Sequence, residues 1–150
     1  VIGLDYIQKV VDINNEEVKA KNLAGKLAFV AGDVFDMPLT DESINIVLDA
    51  ALFHHIQTED WEAYKNQVNR VLDRGGLYLS VALSKETHRY LDFEPKNSDT
   101  ADFEKYGATY HFFKEGEIRE IFGPSYELVK EEVFFAADKT ALIFTLLKKK

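Results

Sequence analysis

Gly32–Ile56 reads GDVFDMPLTDESINIVLDAALFHHI. It leaves an apolar strand at Gly32, crosses a loop carrying Asp33, Asp36, Asp41 and Glu42, and enters a second apolar run, Ile44–Leu48, broken only by Asn45. That run stops at Asp49, Ala50 and Ala51, followed by the pair His54 and His55. A β-branched and aliphatic run of this kind suits a central parallel strand covered on both faces, although a short buried helix reads similarly. In open α/β sheets, ligands collect beyond the carboxyl ends of the strands. Asp33 and Asp49–Ala51 both fall at such ends.

Upstream, Val1–Asp5 and Leu27–Ala31 read as strands around a helix whose Ile7, Val10, Val11 and Val18 keep helical spacing. Asn14–Glu17 has the form of a capping box, which predicts a restart or kink near Asn14, and Gly25 is the expected stop. Downstream, Thr58 is placed to cap a helix with Trp61, Tyr64, Val68, Val71 and Leu72 on one face, halted by Gly75-Gly76. Leu77–Leu83 is the next strand. Strands alternating with helices of this length imply a mostly parallel sheet with helices on its faces.

Periodicity is lost over Ser84–His111, which carries Tyr90, Phe93, Phe103, Tyr106 and Tyr110. A segment of this length is a substrate lid or binding loop, or contains helices that the pattern does not show; the plainer alternative is a surface excursion with its aromatics tucked in. Glu115–Phe122 is a short helix closed by Gly123-Pro124. Tyr126–Phe135 and Thr140–Leu147 form an antiparallel pair across the short turn Ala136–Lys139. The whole, 1–150, reads as one domain, and a chain that begins at VIGL begins inside a strand, so an upstream segment is expected.

Composition narrows the partners. The net charge is −8 with pI near 5.0, against a nucleic-acid surface, which needs clustered Lys and Arg. Lys148–Lys150 reads as a solvated tail. There is no cysteine, which excludes disulfides and thiolate metal sites. No apolar run approaches the ~20 residues of a membrane span, and no signal pattern appears, so no membrane partner and a cytoplasmic location are expected. Adjacent histidine side chains diverge and no third ligand is spaced for His54 and His55, so no metal is expected.

Several segments together resemble the class I S-adenosylmethionine-dependent methyltransferases. VIGLDY resembles that family's second-strand motif, where an acid ends the strand. GDVFDMPLTDES-INIV is similar to its G-D-x-x-x-L-P-F-x-D-x-S-F-D-x-V block. LDAALFHHI resembles its fourth-strand exit, RVLDRGGLYLSV its approach to the fifth strand, and HFFKEGEIREIFG the helix that many small-molecule members carry before their final strand pair. The resemblance implies an α/β, Rossmann-like, three-layer α/β/α fold with a C-terminal antiparallel pair. It also implies methyl transfer from S-adenosylmethionine by in-line displacement to a small-molecule or protein side-chain acceptor.

The same resemblance assigns roles. Asp5 would hold the ribose hydroxyls with Tyr6 beside the ribose or adenine, where the plainer role for Asp5 is a helix cap. Asp33 would take the adenine amine and the Val34 N–H a ring nitrogen, where the plainer role for Asp33 is a turn former. Asp49 and Ala50 would pass the methionine part, Asp49 either pairing with its ammonium or capping the next turn. Phe53, His54, His55 and Tyr110 would line the acceptor pocket, one histidine packing beneath the cofactor. His55 and His111 are the candidates for a base, although packing also explains His111.

Ile44 and Asn45 stand where the family has Phe-Asp, and Ile7 where a Ser often caps the helix. The family's first strand and glycine-rich loop would precede Val1, supplied by an N-terminal segment or a second chain. An NAD-dependent oxidoreductase shares the acid after the second strand, and a non-catalytic binding module shares the architecture. The GD-LP block and final strand pair speak against the first of these.

Overall fold

The computed structural model describes residues 1–87, 94–97, 102–105, 107–138 and 140–150. Tyr90, Phe93 and Tyr106 lie outside the described residues. Where the sequence reads as one domain, the chain divides into two compact units, Val1–Thr40 and Asp41–Lys150.

In the first unit, β1 (Ile2–Asp5) and β2 (Ala28–Ala31) run parallel, connected through α1 (Gln8–Ala20). Asp5 lies opposite Ala31, and the Gly32 N–H donates to the Asp5 carbonyl at 3.0 Å, so the two strands end level. The helix buries Val11 and Val18, the heptad-spaced pair of the sequence pattern. The break expected at Asn14 does not occur. Asn15 sends its amide across to Phe29, donating to the carbonyl at 2.8 Å and accepting from the N–H at 2.9 Å. Asn inside a helix usually competes for the helix's own backbone; here the outer edge of β2 occupies it instead. Gly32 is required by packing: a Cβ there would fall 2.5 Å from the Pro38 ring and 2.9 Å from Leu4.

The second unit begins with β3 (Ile44–Ala50), α2 (Trp61–Val71) and β4 (Leu72–Leu83). A three-stranded antiparallel sheet follows: β5 (Glu94–Asn97), β6 (Asp102–Lys105) and β7 (Ala108–His111). The chain then forms α3 (Glu117–Phe122), β8 (Tyr126–Phe135) and β9 (Ala141–Lys149). The main sheet has the order β3-β4-β9-β8, with the first pair parallel and the other two antiparallel. The C-terminal antiparallel pair is therefore present, and the stretch that lost its periodicity contains strands.

Tyr64, Val68 and Val71 of α2 are buried, as are Ile118 and Phe122 of α3 and Tyr78, Ala82, Ile143 and Leu147 of the sheet. Tyr78 stacks on Phe122 at 4.4 Å, so both helices of this unit serve one sheet face. The expectation of a central, doubly covered β3 is corrected here. Among the described residues β3 is the outer strand of its sheet, with Ile46 60% and Leu48 64% exposed, because β4 is the one strand that pairs with it there.

Two boundaries also move. α2 stops at Val71, and Gly75-Gly76 lies within β4 where the register slips from Ile44 opposite Leu72 to Ile46 opposite Leu77. Gly75 supplies the positive φ of +77° for that bulge. The end of α2 is closed by Lys149, whose ammonium donates to the Asn69 and Leu72 carbonyls at 2.8 and 2.7 Å. Lys149 is thus a helix cap and not part of a solvated tail; Lys150 likewise donates to the Pro124 carbonyl at 2.7 Å. Thr58 does not cap α2 either, since a 3-10 turn over Thr58–Asp60 leads into it without a side-chain cap.

Candidate functional site

The level ends of β1 and β2 bring Asp5 and Asp33 to one edge of the first unit. Asp5 accepts the Ile7 N–H through Oδ1 at 2.8 Å, and Asp33 accepts the Phe35 N–H through Oδ1 at 2.9 Å. Each carboxylate therefore builds a local turn with one oxygen, and among the described residues neither second oxygen has a partner. Tyr6, 79% exposed, stands next to Asp5, and Val34, half-buried, next to Asp33. Two carboxylates with an oxygen each to offer suit hydroxyl and amine donors, and charge-assisted bonds of this kind are the stronger ones.

The end of β3 in the second unit is built differently. Asp49 is 3% exposed. Its Oδ1 accepts the Leu52 and Phe53 N–H groups at 3.0 and 3.2 Å, and its Oδ2 accepts the Tyr64 and Tyr78 hydroxyls at 2.5 and 3.2 Å. A carboxylate has room for about four such donors, so this one is saturated by the protein. Burial pushes its pKa up against those bonds, and both tyrosine hydroxyls are held well above their ordinary range, chiefly by burial. Of the two sequence readings of Asp49, the turn cap is the one observed, and pairing with a ligand ammonium is corrected. The turn it caps is strained: Ala51 has φ +69° and is tied to the sheet by its N–H donating to the Val81 carbonyl at 2.9 Å. Ala50 and Ala51 are exposed, so what this exit offers is main chain.

Beyond it, Phe53, His54 and His55 form a 3-10 turn. Phe53 is fully buried among Trp61, Tyr64, Phe113 and Phe122, with ring centroids 5.0–6.1 Å apart. It is a core residue, which corrects its assignment to a pocket wall. His54 is also buried, accepts the Leu83 N–H through Nδ1 at 3.3 Å, and has its pKa lowered to about 4 by burial and by His55. It is a neutral packing group and does not line a pocket.

His55 is exposed, with Nδ1 2.9 Å from the Thr109 carbonyl and its ring against Tyr110 at 4.7 Å. A carbonyl can only accept, so Nδ1 is the donor in this contact, and in the neutral ring Nε2 is the acceptor. That is the arrangement of a base. His111, the other candidate, is 1% exposed, lies 3.0 Å from Glu117 and packs against Trp61 and Phe113; its place in the core corrects the catalytic assignment. Burial pushes the Glu117 carboxyl up, but hydrogen bonds from His111 and the Lys114 N–H outweigh it and hold the pKa below the ordinary value.

Sequence reasoning did not single out Tyr64, Tyr78 or Thr109 as site elements, nor the left-handed backbone of Ala51. The tyrosines fit an apolar face and a strand, and a backbone carbonyl or a left-handed alanine leaves no mark in a sequence. Among the described residues, no three His, Asp or Glu side chains cluster as a metal site, and no helix is long and apolar enough to cross a membrane.

Comparison with known proteins agrees with the layout. The family model described as a methyltransferase domain matches residues 1–80. A demethylmenaquinone methyltransferase of Lactobacillus johnsonii is 38% identical over 88 residues, covering 59% of this chain and 35% of that protein. A protein of Encephalitozoon cuniculi named as a methyltransferase is 30% identical over 94 residues, covering 60% and 41%. The chain thus spans between about a third and two fifths of the length of these curated relatives.

Among solved structures, an S-adenosylmethionine-dependent methyltransferase of Methanosarcina mazei superposes with a TM-score of 0.80 at 18% identity, covering 99% of this chain and 81% of the other. A 1,6-didemethyltoxoflavin-N1-methyltransferase of Burkholderia thailandensis, with bound 1,6-didemethyltoxoflavin and S-adenosylhomocysteine, gives 0.76 at 14% identity, covering 100% and 61%. At such identities these two establish the α/β, Rossmann-like fold. With the family match extending over more than half of its residues, the chain belongs to the methyltransferase domain family.

Proposed function

We propose that this chain carries the cofactor-binding part of an S-adenosylmethionine-dependent methyltransferase. The observation that carries this reading is the level pair of strand-end acids, Asp5 and Asp33, each with one carboxylate oxygen to give. In this reading the Asp5 oxygen accepts from the ribose hydroxyls with Tyr6 alongside. The second oxygen of Asp33 accepts the adenine amine, and the Val34 N–H meets a ring nitrogen. When bound, S-adenosylmethionine supplies a methyl group activated by its sulfonium.

The protein's own work is then to hold the acceptor in line and to exclude water. Those tasks fall to the 84–111 segment as a lid, through Tyr110, and to His55. The Nε2 lone pair of His55 takes a proton from the acceptor where the acceptor carries one. A small-molecule acceptor fits the named substrates of the relatives, demethylmenaquinone and 1,6-didemethyltoxoflavin; a protein side chain is the alternative. The acidic balance of the chain speaks against nucleic acid, and a cytoplasmic location accompanies this reading.

Calorimetric titration with S-adenosylhomocysteine and with NAD tests it. Binding of the thioether is expected, and Asp5→Ala should weaken it by about 1.5–3 kcal/mol, the range for a hydrogen bond to a charged group. Tight NAD binding without a response to the thioether would overturn the proposal.

A further inference from the structure

We infer that Lys85 and Lys114, at the end of β4, form a site for an anionic group of the acceptor, a carboxylate or a phosphate. The acceptor part of this inference rests on the methyltransferase reading above; the anion site rests on the second unit alone.

β4 ends at Leu83, and the segment after β7 runs parallel to the chain that leaves it. The Phe113 N–H donates to the Leu83 carbonyl at 2.8 Å, and the Lys85 N–H to the Phe113 carbonyl at 3.0 Å. Ser84 lies opposite Phe113, so Lys85 and Lys114 are the next residues along the two chains. Like charges on neighbouring strands repel. That repulsion is felt at Lys85, whose pKa is lowered first by burial and then by Lys114, with Glu117 opposing.

Glu117 does not neutralise the pair. Its Oε2 accepts the Lys114 N–H at 2.8 Å and its Oε1 lies 3.0 Å from His111, so both oxygens serve other groups. Among the described residues neither lysine ammonium makes an ion pair. One carboxylate therefore stands against two cations, in a chain of net charge −8. An anion received by both ammonium groups removes the repulsion and makes charge-assisted hydrogen bonds.

The position of the pair assigns that anion to the acceptor. The Leu83 N–H also donates to His54 Nδ1 at 3.3 Å. The rings of His54 and His55 lie 4.3 Å apart, and that of His55 is 4.7 Å from Tyr110. The base of the reading above and the lysine pair thus share one strand end, where α/β sheets collect ligands.

The test uses the intact chain with benzoate and phenyl phosphate as acidic probes, benzamide as the neutral one, and inorganic phosphate. Binding is followed by NMR at the Lys85 and Lys114 backbone amides, at fixed ionic strength. At least one of the two ring acids is expected to bind saturably, and benzamide about tenfold more weakly or not at all. Lys85→Gln and Lys114→Gln should each weaken the acid about fivefold, while Lys148→Gln, exposed on β9, leaves it unchanged. Glu117→Gln, with its fold confirmed by circular dichroism, should tighten the acid about threefold, because it removes a charge that opposes the anion.

No saturable shift with either acid, equal affinity for acid and amide, or unchanged affinity in both lysine variants would overturn the inference. Inorganic phosphate binding as tightly as the ring acids would make this a free-ion site and overturn its assignment to the acceptor. Loss of the cofactor reading shows separately: the lysine pair would bind the acids while calorimetry finds no S-adenosylhomocysteine binding.

Discussion

The side-chain amide of Asn15 satisfies both main-chain groups of Phe29, its carbonyl at 2.8 Å and its N–H at 2.9 Å. A helix residue thereby closes the outer edge of a two-stranded sheet, the kind of edge that otherwise invites pairing with another chain. Asn15→Ala strands two part-buried groups and should destabilise the first unit by about 1–3 kcal/mol. Asn15→Asp keeps the acceptor but sets a charge against the Phe29 carbonyl, and is expected to do no better. Hydrogen exchange at the Phe29 amide reports on this edge directly.

Asp49 predicts a pH dependence of unusual sign. Its folded pKa is raised above the ordinary carboxylate value, mainly by burial, so the native state binds the proton more tightly than the unfolded chain. Its contribution to stability is fully present below the unfolded pKa and is lost as pH rises through the folded one. Asp49→Asn should remove that slope from denaturation curves measured between weakly acidic and neutral pH. Tyr64→Phe deletes a bond that opposes the shift, so it should move the window to higher pH and cost about 1.5–3 kcal/mol at neutral pH.

Glu117 has the opposite sign. Its pKa is held below the ordinary carboxylate value in spite of burial, by His111 and the Lys114 amide. The stability it contributes is present above the unfolded pKa and disappears as pH falls through the folded one. Glu117→Gln should cost about 1.5–3 kcal/mol at neutral pH. The gap to the unaltered chain should narrow steadily on acidification, measured by urea midpoints.

Lys149, with its side chain 11% exposed, closes α2 and lies 3.7 Å from Glu42. Lys149→Met retains the stem and removes the charge from the helix's negative end, which should lower stability by about 1 kcal/mol. Lys148→Met, at an exposed position on the same strand, is the control and should change little.

Much of the fold was legible because hydrophobic period survives burial. Val11 and Val18 on α1 and Tyr64, Val68 and Val71 on α2 all faced inward as their spacing demanded. The errors arose where a tertiary partner overrode a local signal. Asn14–Glu17 looked like a helix start until Asn15 found Phe29. Gly75-Gly76 looked like a helix stop, yet a lysine from the far end of the chain ended α2 and the glycines made a bulge.

The site divides in the same way. Acids at strand ends and a histidine in a turn can be read from order and spacing. The burial that turns Asp49 into an anchor, Phe53 and His54 into core, and His111 into the partner of Glu117 depends on residues remote in the chain. No local pattern records it.

Ala51 leaves a constraint on the chain's future variation. At φ +69°, glycine is free of the Cβ penalty and asparagine tolerates the left-handed region better than most, whereas valine, isoleucine and threonine clash with their own carbonyls. A saturation library at this codon, sorted only for folded protein, should return glycine and asparagine first and the β-branched residues last.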